Sequence, residues 1–308
     1  MRSQIKQALK RVNWVLKVYS YFQKLYFRTL TIISPRLNTI VRFRHIFKRE
    51  IDLVNPQTLD EKILKLKLER YGTDPLIRQC ADKFAVRDYI KQVGCEDILV
   101  PLIASYDSVD AIDWDILPNS FAMKWNFGCG FNIICSDKSK LNIKDAKRQM
   151  KVWGRDKSCY LDCSEMQYKG VKKKIIVEKY LKPDSGVLPS DYKVYCFNGV
   201  PKYILLCVGR DKDSHPKFYF FDTNWELARI NKDSKNAPKD FSYPKPKCLD
   251  KLIYCAETLS RPFEFVRADF YIVNDNVYFG ELTFTPAGAM DGNRLPETNL
   301  LFGNLLNI

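Results

Sequence analysis

FVRADFYIVNDNVYFGELTFTP, residues 265–286, is typical of two β-strands joined by a turn. The central Asn-Asp-Asn, residues 274–276, favours a turn, and the runs on both sides are rich in β-branched and aromatic residues. With a three-residue loop, the predicted hairpin places Asp269 opposite Glu281. The same register pairs Val273 with Val277, Tyr271 with Phe279 and Arg267 with Thr283. The opposite face would be core, formed by Ala268, Phe270, Ile272, Tyr278, Leu282 and Phe284.

Two carboxylates directly across a strand pair stand about 5 Å apart at their Cβ atoms and repel each other. A divalent cation bound by both side chains would remove the repulsion, and oxygen ligands select Mg²⁺ or Mn²⁺. One alternative is that Arg267 or a lysine neutralises the pair, and another is that the register differs by one residue. The hairpin therefore predicts a metal site at Asp269 and Glu281, with these two alternatives open.

A second informative stretch is FAMKWNFGCGFN, residues 121–132, in which a strand that carries Lys124 leads into a loop with Gly128 and Gly130. Such a loop can direct backbone N–H groups and an ammonium group onto phosphates. It lacks both the GK[ST] ending of a P-loop and the spacing of a Rossmann GxGxxG motif, and the alternative is an ordinary turn. A third stretch, IIVEKYL, residues 175–181, is by itself an ordinary apolar strand with a charged end.

The net charge of +14 is concentrated at the N-terminus of the 308-residue chain. Residues 1–50 carry twelve Lys and Arg side chains against Glu50 alone, which is +11, so the other 258 residues carry +3. A nucleic-acid-binding domain would instead carry its positive charge on a folded face. We therefore expect no nucleic-acid partner.

Ten cysteines and two histidines limit the chemistry further. No two cysteines form a CxxC pair, so a zinc site is not expected, and two histidines argue against a Ser-His-Asp or Cys-His catalytic arrangement. We expect reduced core thiols in a cytoplasmic protein, since no small-residue cleavage site follows the N-terminal stretch. Apolar runs are also shorter than the ~18 residues of a membrane span.

Residues 5–33 have the period of an amphipathic helix that ends at Ser34-Pro35. This helix belongs to a basic arm, residues 1–47, for which two interpretations are open. Either the arm binds an anionic membrane surface through residues 1–34, or the helix packs against the body of the protein or a partner. Its apolar face consists of Ile5, Leu9, Val12, Leu16, Tyr19, Tyr26 and Leu30.

Three segments are predicted after the arm: an N-terminal helical subdomain over residues 48–118, a small lobe over 119–182 and a large lobe over 183–308. In the first segment, Thr58 and Glu61 form a capping box at a helix start. That segment should also contain one helix over 75–91, a strand over 100–106 and a short capped helix over 108–112.

The rest of the chain changes to strand-like runs, which indicates an α+β fold with mainly antiparallel sheets. Helices are expected over residues 143–153 and 249–259. Strands are expected over residues 120–125, 174–180, 192–197, 202–208, 218–222, 266–273 and 277–284.

Taken together, these features resemble the ATP-grasp superfamily and, more narrowly, its TupA-like branch, named for teichuronopeptide biosynthesis. The resemblance covers about residues 50 to 295 and leaves the arm outside. Its order is Asp82-Lys83 on a helix, Lys124 with its glycine loop, the strand end Glu178-Lys179-Tyr180-Leu181, and then Asp269 and Glu281 on the hairpin. The matching phrases are NPQT at 55–58, ADKFAVR at 81–87, DYKVYCFNG at 191–199, VRADFY at 266–271 and GELTFTP at 280–286.

This resemblance implies two α+β lobes that clasp ATP between them. Lys83 and Lys124 would contact the phosphates, beneath the loop with Gly128 and Gly130. The adenine would be held by the strand end, which consists of Glu178, Lys179, Tyr180 and Leu181. The Mg²⁺ or Mn²⁺ ligands would be Asp269, Glu281 and Thr283, although most ATP-grasp enzymes have Asn at the last position.

The implied activity is that of an ATP-dependent carboxylate–amine ligase acting through an acyl phosphate. Cations such as Arg267 would surround the transferring phosphoryl group. Candidates for the acceptor or acyl-phosphate end are Asp191, Lys193 and Arg210. By resemblance, the substrates would be a uronic acid of a cell-surface polysaccharide or its precursor, and an amino acid or other amine. Such precursors are built at the inner face of the cell membrane, which agrees with a basic arm.

Two other functions are compatible with the sequence. A glycosyltransferase of surface polysaccharide synthesis would need an Asp-x-Asp motif. The chain has two, Asp113-Trp-Asp115 and Asp211-Lys-Asp213, and both are typical of loop or cap residues. A membrane-associated ATP-binding scaffold with weakened catalysis is the second. It is suggested by Thr283 and by Phe127 and Phe131, which stand where relatives often have His and Gly.

Overall fold

The computed structural model of the chain describes residues 2–155, 159–182, 189–209, 216–292 and 294–308, with side chains from residue 14 onward except Cys159. Two antiparallel sheets and surrounding helices form an α+β fold, as predicted. The helices are α1 (Arg2–Ile33), α2 (Pro35–Phe47), α3 (Leu59–Leu66), α4 (Pro75–Ala81), α5 (Val86–Gln92), α6 (Ile143–Arg155), α7 (Lys232–Asn236), α8 (Leu249–Ser260) and α9 (Pro296–Leu305). A π-helix, Lys67–Tyr71, continues α3.

The first sheet has four strands in the order β1-β4-β2-β3. Its strands are β1 (Leu102–Tyr106), β2 (Phe121–Trp125), β3 (Asn132–Cys135) and β4 (Ile175–Lys179). In β2, buried and partly buried residues alternate, and the buried face packs with Ala146 and Met150 of α6 in one hydrophobic core. This alternation is typical of a strand with one face on a core.

The second sheet has six strands in the order β10-β9-β5-β6-β7-β8. Its strands are β5 (Asp191–Phe197), β6 (Val200–Val208), β7 (Lys217–Asp222), β8 (Leu227–Ala228), β9 (Phe265–Val273) and β10 (Asn276–Thr283). Its apolar face shares a second, larger core with α3, α5, α8 and α9. The predicted division at residues 48, 119 and 183 stays a prediction, and β1 from the first of those segments pairs with β4.

The capping box at Thr58 and Glu61 is confirmed at the start of α3. The predicted single helix over residues 75–91 is wrong, because the chain breaks at Asp82 into α4 and α5. Asp82 has an extended backbone, and its carboxylate accepts a hydrogen bond from the N–H of Phe84 at 2.7 Å. Lys83 therefore lies in the break between two helices and not on a helix.

The short helix predicted over residues 108–112 is also absent. Ser108 caps a single turn there by accepting a hydrogen bond from the N–H of Ala111 at 3.2 Å, and no helix follows. Five helices and strands that the sequence pattern did not predict are present: α2, β3, α7, β8 and α9.

The predicted hairpin of β9 and β10 forms, but its turn differs from the prediction. The loop has two residues, Asn274 and Asp275, both with positive φ, in place of three residues centred on Asp275. The pairs near the turn are therefore shifted by one residue, so that Tyr271 faces Tyr278 and Phe279 faces Phe270.

The arm is a pair of helices whose junction packs on the body. Thr31 and Asn38, both buried, share hydrogen bonds with the hydroxyl of Ser164 at 2.8 Å, and Arg28 forms an ion pair with Asp162 at 2.5 Å. The contact face of α1 contains Phe27. Of the predicted apolar face, Leu16 is 55% and Tyr19 60% exposed, Leu30 is half-buried, and the side chains of Ile5, Leu9 and Val12 lie outside the described residues. Among the described helices, none is both long and apolar enough to cross a bilayer.

Candidate active site

A cavity of about 150 Å³ is lined by residues of both sheets. The residues predicted to surround the nucleotide that line it are Lys124, Glu178, Lys179, Tyr180 and Leu181. The sequence pattern missed the other lining residues, among which Val100, Tyr271 and Phe279 give the cavity apolar walls. The sequence places Tyr271 on the predicted hairpin, two residues from Asp269. This short separation along β9 is the signal that could have assigned Tyr271 to the site.

Glu178 is the buried anion of this cavity, with only 5% of its surface exposed. Lys124 on the neighbouring β2 forms an ion pair with it at 2.8 Å. Arg87 of α5 forms a second ion pair with Glu178 at 3.2 Å and donates to the carbonyl of Val100 at 3.0 Å. The two cations offset the cost of burying the carboxylate and fix its position at the cavity wall. Arg87 was not among the predicted site residues.

The predicted pairing of Asp269 with Glu281 is present. It survives the shifted turn because the register changes between Phe279 and Glu281, which leaves Gly280 as a β-bulge. A Cβ atom at Gly280 would lie 2.9 Å from the carbonyl oxygen of Asp269, so the bulge requires glycine by close approach. Turn and bulge together restore the opposition of the two carboxylates.

Cations surround both carboxylates in the protein alone. Arg267 donates two hydrogen bonds of 2.7 Å to the Asp269 carboxylate, and Lys193 donates a third at 2.8 Å. Lys83 lies 3.2 Å from the Glu281 carboxylate. These contacts agree with the alternative in which Arg267 or a lysine neutralises the pair.

The charges of this cluster change its titration. Burial disfavours the ionised form of Glu281, but Lys83, Arg267 and Lys193 outweigh it and hold the pKa of that carboxyl at about 2. Burial likewise disfavours the charged forms of the basic groups, yet the Asp269 carboxylate raises the pKa of both Arg267 and Lys193. Glu281, Arg267 and Lys193 are therefore ionised at neutral pH.

The donor atoms fit a magnesium ion that arrives with a nucleotide. Asp269 and Glu281 offer opposed carboxylates, and the hydroxyl of Thr283 lies 3.1 Å from a Glu281 oxygen, so the donors are all hard oxygens. In the described part of the chain, no group of three or more His, Cys, Asp or Glu residues could hold a metal by itself. Mg²⁺ is commonly bound by one or two carboxylates together with substrate phosphates, so these residues satisfy the protein share of such a site.

Lys83 connects the glycine loop to the Glu281 carboxylate. The ammonium of Lys83 donates to the carbonyl of Gly128 at 2.9 Å while it pairs with Glu281. Gly128 and Gly130 both have φ of +73°, a conformation that favours glycine. Phe131 stacks on Trp153 of α6 with ring centroids 5.7 Å apart, which anchors the loop on α6.

The residues proposed for the acceptor end are only partly brought together. Lys193 donates to the Asp269 carboxylate, and its ammonium is also 3.4 Å from Asp191, which is buried. Arg210 lies outside the described residues. Of the two Asp-x-Asp motifs, Asp113 accepts a hydrogen bond from the N–H of Asp115 at 3.0 Å within a turn, and residues 211–213 lie outside the described residues.

Three solved structures are similar to this chain over part of their length. A D-alanine–D-alanine ligase from Bacillus anthracis complexed with ATP is 11% identical, with a TM-score of 0.39 over 74% of this chain and 63% of that one. An L-amino acid ligase from Bacillus licheniformis is 11% identical, with a TM-score of 0.44 over 84% of this chain and 55% of that one. An ATP-grasp ligase, PsnB, complexed with minimal precursor, Mg and ADP, is 10% identical, with a TM-score of 0.38 over 73% of this chain and 57% of that one. The chain thus spans less than two thirds of the length of these three structures.

A search of curated proteins gave no match. The model of a protein family described as TupA-like ATPgrasp matches residues 61–307, which is most of the chain. The matched region contains both sheets, the glycine loop, the cavity and the opposed carboxylates, and it begins after the helical arm. The chain therefore belongs to the TupA-like ATP-grasp family.

Proposed function

We propose that this chain is an ATP- and Mg²⁺-dependent carboxylate–amine ligase that acts through an acyl phosphate. One observation carries the proposal: the cavity and the opposed carboxylates lie along the same hairpin. Tyr271 and Phe279 line the cavity, and Asp269 and Glu281 lie two residues farther from the turn on β9 and β10. Two residues of a strand span about 7 Å, so a nucleotide whose base occupies the cavity would extend its phosphates toward the carboxylates.

The residues of the cavity would bind the nucleotide. Lys124 would exchange part of its ion pair with Glu178 for a phosphate oxygen, while Arg87 continues to neutralise Glu178. The backbone of Lys179, Tyr180 and Leu181 would hold the adenine edge. Lys83 would carry the glycine loop over the phosphates through its bond to Gly128.

At the other end, Asp269, Glu281 and Thr283 would hold Mg²⁺, and Mn²⁺ suits the same oxygen donors. The ion supplies positive charge that neutralises the transferring phosphoryl group. Arg267 and Lys193 add two fixed cations beside it, each held by Asp269. Cations arranged in advance around the phosphoryl group are the main requirement of this transfer.

The reaction has two steps. A carboxylate oxygen of the acceptor attacks the γ-phosphorus of ATP, an O–P bond forms, and ADP leaves. The amine nitrogen then attacks the acyl carbon, a C–N bond forms, inorganic phosphate leaves, and the nitrogen loses a proton. Lys193 and Arg267 would hold the acyl phosphate, because both lie at the metal carboxylates and both remain charged at neutral pH.

For the acceptor we propose a uronic acid of a cell-surface polysaccharide or of its precursor, with an amino acid or another amine as the second substrate. The family description, TupA-like, supports this choice. We further propose that α1 lies on an anionic membrane surface at the inner face of the membrane. Trp14, Tyr21 and Phe22 are each more than 60% exposed on α1, and Lys17 lies among them.

Trapping with hydroxylamine tests the central step. Hydroxylamine replaces the amine, so an acyl phosphate formed from a uronic acid would be captured as a hydroxamate while ADP is released. Lys124→Ala should weaken the affinity for a non-hydrolysable ATP analogue about tenfold, and Lys193→Ala should reduce hydroxamate formation with little loss of that affinity. Lys144→Ala, an exposed lysine of α6, is the matched control.

The rival functions give different results in the same assays. A glycosyltransferase would be stabilised by a UDP-sugar and not by ATP, whereas ATP at 100 times its Kd would add about 2.7 kcal/mol to the stability of a ligase. A scaffold with weakened catalysis would bind ATP and release no ADP with any acid and amine offered. Either result would refute the proposed ligase.

A further inference from the structure

Asn126 comes directly before the glycine loop and is fully buried. Its side-chain amide donates to both carboxylate oxygens of Asp82 at 2.9 Å and to the carbonyl of Lys172 at 2.9 Å. Its side-chain oxygen accepts a hydrogen bond of 2.8 Å from the N–H of Lys174. One uncharged side chain therefore joins the glycine loop to two segments that lie 44 and 46 residues away along the chain.

The backbone of Asn126 adds two further bonds to the same segments. Its carbonyl accepts a hydrogen bond of 3.1 Å from the N–H of Lys83, and its N–H donates to the carbonyl of Lys174 at 2.9 Å. Every polar group of Asn126 thus has a partner. Because buried polar groups are costly to leave unpaired, this network favours a single arrangement of the three segments.

Each of the joined segments carries a part of the candidate nucleotide site. The turn that begins at Asp82 carries Lys83, whose ammonium contacts the carbonyl of Gly128 and the Glu281 carboxylate. The second segment is the glycine loop itself. The third, residues 172–174, runs directly into β4, and the end of that strand lines the nucleotide cavity.

Lys83 is bound by the glycine-loop segment at both of its ends. The carbonyl of Asn126 holds its backbone N–H, and the carbonyl of Gly128, two residues further on, holds its ammonium. The bonds from Asn126 to Asp82 fix the turn from which Lys83 projects. Lys83 and the loop therefore form one unit for as long as Asn126 and Asp82 remain bound to each other.

We infer that Asn126 and Asp82 are positioning residues of the ligase reaction, which hold Lys83, the glycine loop and β4 in the arrangement that receives the phosphates of ATP. The inference rests on the ligase function proposed above and adds two residues that contact no substrate themselves. Without their bond, ATP would have to order the loop and Lys83 as it binds, which weakens its binding. Once ATP is bound, the reacting groups are in place again.

Asn126→Asp tests the inference, because it replaces the donating amide with a second carboxylate that repels Asp82. We expect the affinity for a non-hydrolysable ATP analogue to fall, and the KM for ATP in hydroxamate formation to rise, by at least about tenfold. The kcat should change less than about threefold, since the lost interaction acts on binding. Adding Asp82→Asn restores a donor and an acceptor with their roles exchanged, so the double variant should return the KM to within about threefold of the parent.

Asn299→Asp is the matched control. Asn299 is also buried and also donates to a buried aspartate, Asp60, at 2.9 Å, but neither of them lines the nucleotide cavity. This control should be less stable in urea unfolding and keep the KM for ATP within about twofold of the parent. If Asn126→Asp likewise loses stability and keeps its KM, Asn126 has only a structural role and the inference is wrong.

Two further results would overturn the inference. One is a KM of Asn126→Asp that Asp82→Asn does not improve. The other is an unchanged analogue affinity in Asp82→Ala, which removes the same link but leaves the bonds of Asn126 to residues 172–174, and which serves if Asn126→Asp does not fold. The ligase function fails separately, if the parent binds the analogue and forms no hydroxamate. Hydroxamate formation with parental affinity and KM in Asn126→Asp refutes the positioning role alone.

Discussion

Glu281 lies opposite Asp269 although every residue pair nearer the turn is shifted by one from the register of a three-residue loop. The two-residue turn at Asn274 and Asp275 shifts the pairing, and the bulge at Gly280 shifts it back. A one-residue slip in a strand moves a side chain to the opposite face. The opposition of the two carboxylates therefore depends on a residue that carries no charge.

Gly280→Ala should disrupt this arrangement. The new Cβ would lie 2.9 Å from the carbonyl oxygen of Asp269, a backbone atom that cannot rotate away. We expect a loss of about 1–3 kcal/mol in the free energy of unfolding and a rise in the Mg²⁺ concentration that half-saturates ATP turnover. Gly292→Ala is the matched control, because its nearest neighbour is a side-chain atom at 3.5 Å. Equal effects of the two variants would show that the bulge is not required.

Asp269→Asn and Glu281→Gln should each reduce Mg²⁺-dependent ATP turnover at least about 100-fold, equivalent to about 2.7 kcal/mol. Their effects on stability should differ. Asp269 neutralises both Arg267 and Lys193. Its amide would remove the ion pair of Arg267 and leave Lys193 with Asp191 alone, which should cost about 2–4 kcal/mol. Glu281 is more exposed and pairs with Lys83 alone, so its amide should cost less.

Steady-state kinetics and urea unfolding of both variants measure these effects, with Asp145→Asn on the exposed face of α6 as control. Near-normal turnover in either variant would contradict the metal assignment. If Asp269→Asn is as stable as the parent, its ion pairs are not energetically important.

The sequence predicted the pairing of these carboxylates correctly but with the wrong turn. Asn274, Asp275 and Asn276 all favour turns, so composition alone did not distinguish a two-residue from a three-residue loop. Gly280 was the missing signal, since a glycine inside a strand pattern often marks a bulge. The sequence also predicted repulsion between the two carboxylates and left open that Arg267 or a lysine neutralises them. Lys193 and Lys83 approach from other elements and neutralise the two carboxylates.

Gly128→Ala and Gly130→Ala form a second matched pair. Both glycines have φ of +73°, so alanine should cost about 1 kcal/mol of backbone strain at either position. At Gly128 the new Cβ would also lie 2.6 Å from the ring of Phe131, whereas at Gly130 no atom lies within 4 Å. We therefore expect the KM for ATP to rise more in Gly128→Ala. A larger rise in Gly130→Ala would mean that the packing of Phe131 does not position the loop.

Contacts between distant parts of the chain account for what the sequence did not predict near the site. The helix break at Asp82 depends on Asn126, which is 44 residues away and donates to both carboxylate oxygens of Asp82 at 2.9 Å. Local periodicity contains no trace of such a bond. Arg87 of α5 was missed for the same reason, since its role follows from Glu178 on β4, which is 91 residues away.

Lys67 should make the stability of the protein depend on pH above neutrality. Burial lowers its pKa to about 8 from an ordinary value of 10.5, so between these values the unfolded chain binds more protons than the folded one. The free energy of unfolding should therefore rise with pH across this window, by up to about 3 kcal/mol at about 1.4 kcal/mol per pH unit.

Urea unfolding of the parent and of Lys67→Met at several pH values from 7 to 10.5 measures this contribution together with the titration of Cys163 and Glu165, whose pKa values the Lys67 ammonium lowers. The stability of the parent relative to the variant should increase with pH. Parallel curves would show that Lys67 is not buried as a strained ammonium.

The last prediction separates the two roles of the arm. Trp14, Tyr21 and Phe22 are exposed, so replacing all three with serine should leave the free energy of unfolding within about 0.5 kcal/mol. The same variant should bind phosphatidylglycerol vesicles much more weakly, because the aromatic groups insert at the bilayer interface. Thr31→Val should do the opposite, since it breaks a buried hydrogen bond to Ser164 at a cost of about 1–3 kcal/mol and leaves the exposed face unchanged.

Salt distinguishes insertion from simple charge attraction in the same experiment. The Debye length falls from about 10 Å at 0.1 M to about 3 Å at 1 M, so an arm held by charge alone would be released completely at 1 M salt. An inserted aromatic face predicts partial retention of the parent and full release of the triple serine variant, measured by co-sedimentation. Vesicles of phosphatidylcholine, which has no net charge, should bind the parent weakly at any salt concentration. A parent protein that never sediments with phosphatidylglycerol would leave the arm as a structural element that is held by Thr31 and Arg28.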